Sequence, residues 1–164
     1  FLMKAAAKAL SEFPDFNASL EPAGDILVYK NYIHLGIAVD TENGLMVPVL
    51  KDVDKKSILD LCAEVVLISD KARNKKTTPD ELSGGTFTIS SLGGIGGTYF
   101  TPIVNPPEVA ILGVSKTYTD ASELLKLPVS LSYDHRVIDG AAAARFTTRL
   151  SEILGDVAYF KSNT

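Results

Sequence analysis

Two histidines are present in the 164 residues, and histidine is the side chain whose ordinary pKa places proton exchange near neutral pH. His34 lies within an alternating segment and is interpreted as a partly buried histidine with a hydrogen-bonded ring. His135 follows a second alternating segment, which predicts a covered side chain, and precedes Asp139-Gly140, a pair typical of a helix start. This position suits a general base, although a purely structural histidine fits the same spacing.

Ser90 and Ser91 form the second chemical candidate, because they lie between a predicted strand and the glycine-rich residues 93–97. Glycines there allow a substrate to approach the backbone closely. The spacing matches neither a dinucleotide-binding loop nor a phosphate-binding loop, and no Gly-x-Ser-x-Gly sequence surrounds either serine. A hydroxyl that donates to a developing oxyanion therefore fits better than a serine nucleophile. The possible ligand side chains show no metal-binding spacing, so no metal site is predicted.

Two periodic patterns of apolar residues indicate the strands and helices that must hold these candidate residues. Alternation with a period of two predicts strands, and recurrence after three and four residues predicts helices. The predicted strands comprise residues 30–40, 45–50, 86–90, 109–115 and 127–134. The predicted helices are the first residues of the chain, a segment that Ser57 caps, and a long final segment that Asp139 caps. Together these elements predict an α+β fold, a two-layer sandwich in which helices cover a mixed sheet.

Several positions carry finer predictions. Lys4 and Lys8 are predicted on the polar side of the first helix, and no capping residue precedes that helix, so we expect a native segment before Phe1. Pro48 cannot donate a backbone hydrogen bond, so the strand that returns after an Asn-Gly turn is predicted at an edge or with a bulge. Cys62 has a core-type helical spacing and is predicted to be buried.

Composition limits the classes of function. A chain of 164 residues with 46% apolar and 22% charged residues is expected to form a single domain spanning residues 1–164. The net charge of −4 argues against a nucleic-acid partner, and no apolar run approaches the roughly 20 residues of a membrane span. One cysteine cannot form an internal disulfide, which suits a reducing compartment.

Residues 133–140 read Tyr-Asp-His-Arg-Val-Ile-Asp-Gly. This segment resembles the active-site motif of the dihydrolipoamide acyltransferases, the core enzymes of 2-oxo acid dehydrogenase complexes, and chloramphenicol acetyltransferase shares its shorter form. Four further segments resemble the same family in the same order, namely residues 43–49, 84–91, 101–105 and 108–114. The resemblance covers nearly the whole chain and is strongest to the pyruvate dehydrogenase branch, since the 2-oxoglutarate branch usually carries threonine where Ser90 stands. It implies a chloramphenicol-acetyltransferase-like fold and a location in the cytoplasm of a bacterium or in the mitochondrial matrix of a eukaryote.

The resemblance also implies an activity, namely transfer of an acetyl group between S-acetyl-dihydrolipoamide and coenzyme A. His135 matches the family's general base, Ser90 its oxyanion donor, and Asp139 the carboxylate of the motif. We expect Asp139 to hold the geometry of the site rather than to move a proton, because a helix-capping aspartate needs no further role. Coenzyme A is the implied co-substrate, with no binding residues assigned, and the lipoyl group is expected on a separate domain, since no lipoyl or peripheral-subunit-binding domain is recognised.

In this family the active site lies between the subunits of a trimer, one subunit supplying the histidine and its neighbour the serine. The resemblance therefore implies a homotrimer that works with a lipoyl domain, a decarboxylase and a dihydrolipoamide dehydrogenase. Three departures from the family matter. The N-terminal segment that helps to build the trimer in relatives is not recognised, and residues 116–126 form a shorter connection than in relatives. Residues 157–164 lack the strongly apolar ending with which many relatives join trimers, which weakens the expectation of a larger cubic core more than that of a trimer.

Three alternatives remain open at this point. The chain fits a succinyltransferase or branched-chain acyltransferase of a related complex. It also fits a non-catalytic core protein that kept the fold for assembly, although such a protein is expected to lose the histidine. A small-molecule acetyltransferase of the chloramphenicol type fits less well, because the resemblance outside the motif favours the dehydrogenase complexes.

Overall fold

The computed structural model describes residues 1–163. Its helices are Leu2–Glu12 (α1), Ile58–Arg73 (α2), Gly140–Gly155 (α3) and Val157–Lys161 (α4). Its strands are Ala18–Leu20 (β1), Leu27–Tyr29 (β2), Leu35–Ile37 (β3), Val39–Thr41 (β4), Gly44–Met46 (β5), Val49–Leu50 (β6), Phe87–Ser91 (β7), Ala110–Val114 (β8), Tyr118–Thr119 (β9), Leu125–Lys126 (β10) and Val129–Tyr133 (β11).

The main sheet has five strands in the order β11-β8-β7-β3-β6. Its three central strands run parallel to one another, whereas β11 and β6 pair antiparallel at the two edges. Three two-stranded ribbons, β1-β2, β4-β5 and β9-β10, extend from it. The predicted mixed sheet is therefore confirmed.

The two faces of β7 have different neighbours. Successive side chains of a strand point to opposite faces, so Phe87 and Ile89 share one face while Thr88 and Ser90 share the other. Phe87 is fully buried, and its ring centroid lies 6.0 Å from that of Phe146 in α3. Helix α3 thus covers the first face, in agreement with the predicted sheet that helices cover. The second face carries the serine that was singled out in the sequence.

Contacts between α1 and α3 complete the helical layer. The ring of Phe16, just after α1, stacks on that of Phe146 with centroids 4.3 Å apart. On the surface, the Arg149 guanidinium donates to both carboxylate oxygens of Glu12 at 2.7 and 3.2 Å. Burial of aromatic surface supplies most of the stabilisation here, since exposed ion pairs contribute little.

Local sequence signals set the helix starts. Ser57 accepts a hydrogen bond from the Asp60 backbone N–H, and Asp60 accepts one in return from the Ser57 N–H, which forms a capping box. Asp139 accepts from the backbone N–H of Ala142 at 2.7 Å and begins α3. Both predicted caps are confirmed, and such caps typically stabilise a protein by ~0.5–2 kcal/mol.

The predicted strand over residues 30–40 is only partly right. The structure divides its second half into β3, which joins the main sheet, and β4, which leaves that sheet and pairs with β5 across the predicted Asn-Gly turn. The return strand is divided in the same way, at Val47-Pro48, into β5 and β6. Pro48 has no N–H, but its carbonyl accepts from the Ile37 N–H at 2.9 Å. As predicted, the strand after Pro48 lies at the edge of the sheet.

Two predictions about exposure are wrong. Lys4 is 3% exposed, because its ammonium group reaches the carbonyl oxygens of Asp54 and Lys56, each at 2.9 Å, and burial lowers its pKa. Cys62 is exposed, because α2 buries a narrower stripe, which includes Leu61, than the sequence spacing indicates. Within residues 1–163, no helix is both long and apolar enough to cross a membrane.

Candidate functional site

His135 lies in a turn that joins β11 to α3. Three backbone hydrogen bonds hold this turn: the Asp134 N–H donates to Val109 O at 2.8 Å, and the Val137 and Ile138 N–H groups both donate to Asp134 O at 3.0 Å. Ile138 is buried and anchors the turn in the core. The His135 side chain itself is exposed. The prediction of a covered face is therefore wrong for the single chain, because the strand ends at Tyr133 and the turn interrupts the alternation.

Side chains on either side of His135 fix the same turn. The Asp134 carboxylate accepts from the backbone N–H of Arg136 at 3.0 Å and from two nitrogens of its guanidinium. This contact lowers the pKa of Asp134. Arg136 is largely exposed, so the pair adds little to stability, but its forked geometry restricts the turn. His135 is thus held on a rigid support that leaves its ring accessible.

Asp139 follows at the start of α3. Its carboxylate oxygen contacts the backbone of Ala142, and the side chain is otherwise exposed. The geometry therefore gives Asp139 a clear structural task at the helix N-terminus. Its participation in chemistry, like that of His135 and Ser90, stays a prediction.

Ser90 is half-buried near the end of β7 and lines a cavity of about 340 Å³, the Ser90 cavity. Most other lining residues are apolar: Ala38, Leu45, Val47, Pro102, Ile103, Val104 and Ile111. The glycine-rich loop follows directly. Gly96 and Gly97 have backbone φ angles of 143° and 85°, which residues other than glycine rarely adopt. The loop is tied back to the sheet, because Lys116 N–H donates to Gly97 O at 3.1 Å.

The strand register keeps Ser90 and His135 apart within one chain. Ser90 pairs with Gly113, which pairs with Ser130, whereas His135 lies five residues beyond Ser130 on the far side of β8. With a rise of about 3.3 Å per residue and about 4.8 Å between strands, Tyr133, the last residue of β11, is roughly 14 Å from Ser90, and His135 follows in the turn beyond it. A single chain therefore does not bring the predicted base and the predicted oxyanion donor together.

Glu108 is a buried carboxyl group that the sequence reasoning did not single out. It is 6% exposed, and its Oε2 lies 2.7 Å from the hydroxyl of Thr88. Burial raises the pKa of Glu108 to about 7, and the hydrogen bond with Thr88 opposes part of that rise. The available signal was a charged residue directly before the apolar run of residues 109–112. Thr88 shares its face of β7 with Ser90, which places Glu108 close to the candidate site.

Metal-binding side chains do not cluster in the part of the chain that the structure describes. No three histidine, cysteine or carboxylate side chains among residues 1–163 are grouped so that they could hold an ion.

Residues 1–160 match the family model of the 2-oxoacid dehydrogenases acyltransferase catalytic domain. The chain belongs to this acyltransferase family. It is 60% identical over 163 residues to the dihydrolipoyllysine-residue acetyltransferase component of the pyruvate dehydrogenase complex of Pseudomonas aeruginosa, and 58% identical to that of Azotobacter vinelandii. These matches cover 95% of the chain but only 30% and 26% of the two relatives, so the chain spans less than a third of their length. The resemblance inferred from the motifs is confirmed.

Solved structures agree with this membership. The dihydrolipoamide acetyltransferase of Azotobacter vinelandii superimposes with a TM-score of 0.90 at 55% identity, covering 97% of this chain and 68% of that one. The cubic core of a pyruvate dehydrogenase complex matches with the same TM-score at 56% identity and with the same coverage. Chloramphenicol acetyltransferase matches with a TM-score of 0.63 at 20% identity, over 93% of this acyltransferase domain and 75% of that chain, which shows a shared fold. The predicted fold class is confirmed.

The raised pKa of Glu108 has a measurable effect on stability. Between pH 4.5 and 7 the folded protein retains a proton that an unfolded glutamate releases, so its favourable contribution is complete below about pH 4.5 and is lost as pH rises through 7. Glu108→Gln stays neutral throughout. We expect the free energy of unfolding of Glu108→Gln, relative to wild type, to rise by about 2–3 kcal/mol between pH 4.5 and 8, as measured by urea titration.

Glu42→Gln is the matched control, because Glu42 is exposed in the turn between β4 and β5. Its unfolding free energy is expected to follow that of wild type across the same pH range. Parallel pH curves for wild type and Glu108→Gln would contradict the buried, proton-retaining carboxyl group.

Proposed function

We propose that this acyltransferase domain transfers an acetyl group between S-acetyl-dihydrolipoamide and coenzyme A. The observation that carries the proposal is the 60% identity, over 95% of the chain, to an acetyltransferase component of the pyruvate dehydrogenase complex. His135, Ser90 and Asp139 all lie within the matched family domain. Exchange of one thioester for another is nearly balanced in energy, so the reaction needs no nucleotide.

His135 is proposed as the general base. The thiol of coenzyme A has an ordinary pKa near ~8.5, so it is mostly protonated at neutral pH and attacks a carbonyl slowly. A neutral imidazole that accepts this proton as sulfur attacks typically raises the rate by ~10²–10⁴. The exposed ring on a rigid turn supports this role, because the base must reach substrate without changing its own position.

Ser90 is proposed to stabilise the negative charge that develops on the carbonyl oxygen. Its hydroxyl group lines a cavity with mainly apolar walls. A hydrogen-bond donor is more effective in such surroundings than in water, because the local dielectric is low. Ser90 is also held by the parallel ladder between β7 and β8, so the donor needs little reorganisation during the reaction.

Asp139 is proposed as a positioning residue. The solved structure of the Azotobacter vinelandii enzyme bears on the role of a serine, a histidine and an asparagine in its catalytic mechanism. That histidine and that asparagine are four positions apart. His135 and Asp139 have the same separation. An asparagine can accept the backbone hydrogen bond of a helix cap but is a poor proton carrier, which supports a capping role for Asp139.

A homotrimer is proposed as the active assembly, with each site shared between neighbouring subunits. The separation of Ser90 from the end of β11 within one chain, roughly 14 Å as estimated from strand spacing, supports this arrangement. Leu45 and Ile103, which line the Ser90 cavity, are 67% and 89% exposed, as expected for residues that a neighbour covers.

The match to a cubic core supports assembly into a larger complex, where a lipoyl domain, a decarboxylase and a dihydrolipoamide dehydrogenase are the proposed partners. The bacterial relatives favour the bacterial cytoplasm over the mitochondrial matrix.

Single substitutions test the two reacting groups. With free dihydrolipoamide and acetyl-CoA as substrates, we expect His135→Ala to lower kcat by ~10²–10⁴, and Ser90→Ala to lower it by ~10²–10³. Ser91→Ala is the matched control and is expected to keep wild-type activity, because Ser91 is exposed and its hydroxyl accepts from the nearby Gly93 N–H. Equal kcat for wild type and His135→Ala rejects the assignment. Succinyl-CoA and a branched acyl-CoA in the same assay establish the acyl preference.

Mixing the two inactive variants tests the shared site. Co-expressed His135→Ala and Ser90→Ala chains form mixed trimers in which about a quarter of the sites draw an intact histidine and an intact serine from different chains. We expect activity to recover to about that fraction of wild type. A mixture of His135→Ala with the double variant is the control and stays inactive. No recovery in the first mixture, with mixed trimers confirmed by mass spectrometry, excludes the shared arrangement.

Asp139 variants separate capping from proton transfer. Asp139→Asn keeps an acceptor for the Ala142 N–H, so we expect it to retain most of the activity and the unfolding temperature. Asp139→Ala removes the acceptor and is expected to lose ~0.5–2 kcal/mol of stability in urea unfolding. A loss of kcat in Asp139→Asn as large as that in His135→Ala, without loss of stability, indicates direct proton transfer instead.

A further inference from the structure

Three parts of the chain meet at Glu108, whose side chain is buried. Thr88 of β7 forms the hydrogen bond described above, and Ser19 of β1 forms an isolated β-bridge with the Glu108 backbone. Gly85 approaches from a third side: a Cβ atom at that position would lie only 2.7 Å from Glu108 Oε1. The glycine therefore provides the space that the carboxyl group occupies. Glu108 is therefore packed into the fold and does not extend from the surface into solvent.

Glu108 also directly follows a segment that lines the Ser90 cavity. Residues 102–107, the wall segment, connect the glycine-rich region to β8, and four of them line the cavity: Pro102, Ile103, Val104 and Asn105. At its beginning, the segment packs closely on the sheet, since a Cβ on Gly113 would lie 3.2 Å from Pro102 Cδ. At its end, the Glu108 N–H donates to Asn105 O at 3.0 Å. The hydrogen bond between Glu108 and Thr88 thus fastens the wall segment to the strand that carries Ser90.

We propose that Glu108 is a positioning residue whose hydrogen bond with Thr88 holds the wall segment against β7 and so sets the shape of the cavity that receives the acyl substrate. This inference rests on the proposed function, because it takes the Ser90 cavity to be the acyl side of the site. The role is distinct from that of Ser90, since Glu108 acts through the wall and not on the reacting atoms.

Ionisation of Glu108 affects the same contact. The charged and titratable groups that line the two neighbouring cavities are Lys30 and Tyr32 on one side and Tyr133, Asp134 and Arg136 on the other. Within residues 1–163, no ion pair joins any cation to Glu108. A carboxylate at this position is therefore poorly compensated, and its formation favours movement of the wall segment towards water. The hydrogen bond from Thr88 favours the charged form, but burial opposes that form more strongly, so the wall segment is held best while the carboxyl group is neutral.

Substitutions of Thr88 test the hydrogen bond without changing charge. Thr88→Val removes the hydroxyl at nearly constant volume, and we expect the KM for S-acetyl-dihydrolipoamide to rise roughly 3–10-fold, with the KM for coenzyme A and kcat within about twofold of wild type. Thr88→Ser keeps the hydroxyl and is expected to restore the wild-type KM. A general packing defect affects both substrates and is not corrected by serine. Circular dichroism and thermal unfolding establish that each variant is folded.

Glu108→Gln provides a second, pH-dependent measurement that does not depend on Thr88→Val folding. Glutamine keeps the hydrogen bond but cannot ionise, so the wild-type KM for S-acetyl-dihydrolipoamide, relative to that of the variant, is expected to rise about 3–10-fold between pH 6 and 8.5. Any other pH dependence of the enzyme and its substrates is common to both proteins and cancels in this ratio.

The outcomes separate the two proposals. An inactive wild-type trimer, or a fully active Ser90→Ala variant, overturns the proposed function and with it the role of the wall. If Ser90→Ala is impaired but Thr88→Val has the wild-type KM values, or if the KM ratio for Glu108→Gln is constant with pH, only the positioning role of Glu108 is overturned. A selective rise in the KM for the acyl substrate, corrected by Thr88→Ser, supports it.

Discussion

The parallel pairing of β7 with β3 and β8 is the constraint on which the site depends. Because the three strands run in the same direction, their carboxyl ends lie on the same side of the sheet, and Ser90 lies near the carboxyl end of β7. The alternation that buries Phe87 beneath α3 turns Ser90 to the opposite face. The antiparallel strand β11 has its carboxyl end beside the amino end of β8, and His135 follows β11 there. The topology itself therefore separates the two candidate residues within one chain.

The face of β7 that carries Thr88 and Ser90 combines apolar and polar requirements. Burying a neutral carboxyl group with one hydrogen bond costs less than burying a carboxylate, and Thr88 supplies that bond to Glu108. An apolar side chain at position 108 avoids the cost of burial but leaves the Thr88 hydroxyl without this partner. The arrangement gives up some stability at alkaline pH, where the carboxyl group ionises, in return for a directional contact between the wall segment and β7.

Sequence patterns predicted the features that depend on neighbouring residues. The caps at Ser57 and Asp139 involve atoms three residues away, so local spacing was sufficient. The burial of Lys4 and Glu108 depends on segments more than 15 residues away, and periodicity contains no information about them. The exposure of His135 depends on the residue at which β11 ends, and strand ends are poorly specified by alternation. The motif resemblance located His135, Ser90 and Asp139 in the chain, but their roles stay predictions.

The two halves of the proposed site are incomplete in complementary ways. His135 is well supported but lies on an open surface, whereas Ser90 lies in a cavity whose rim includes the exposed Leu45 and Ile103. Covering this rim with a neighbouring subunit removes apolar surface from water, which favours association. The same contact lowers the dielectric around Ser90, which strengthens its interaction with a developing oxyanion. In a shared site, trimer formation and transition-state stabilisation therefore arise from one buried surface, and a substitution that weakens the first also weakens the second.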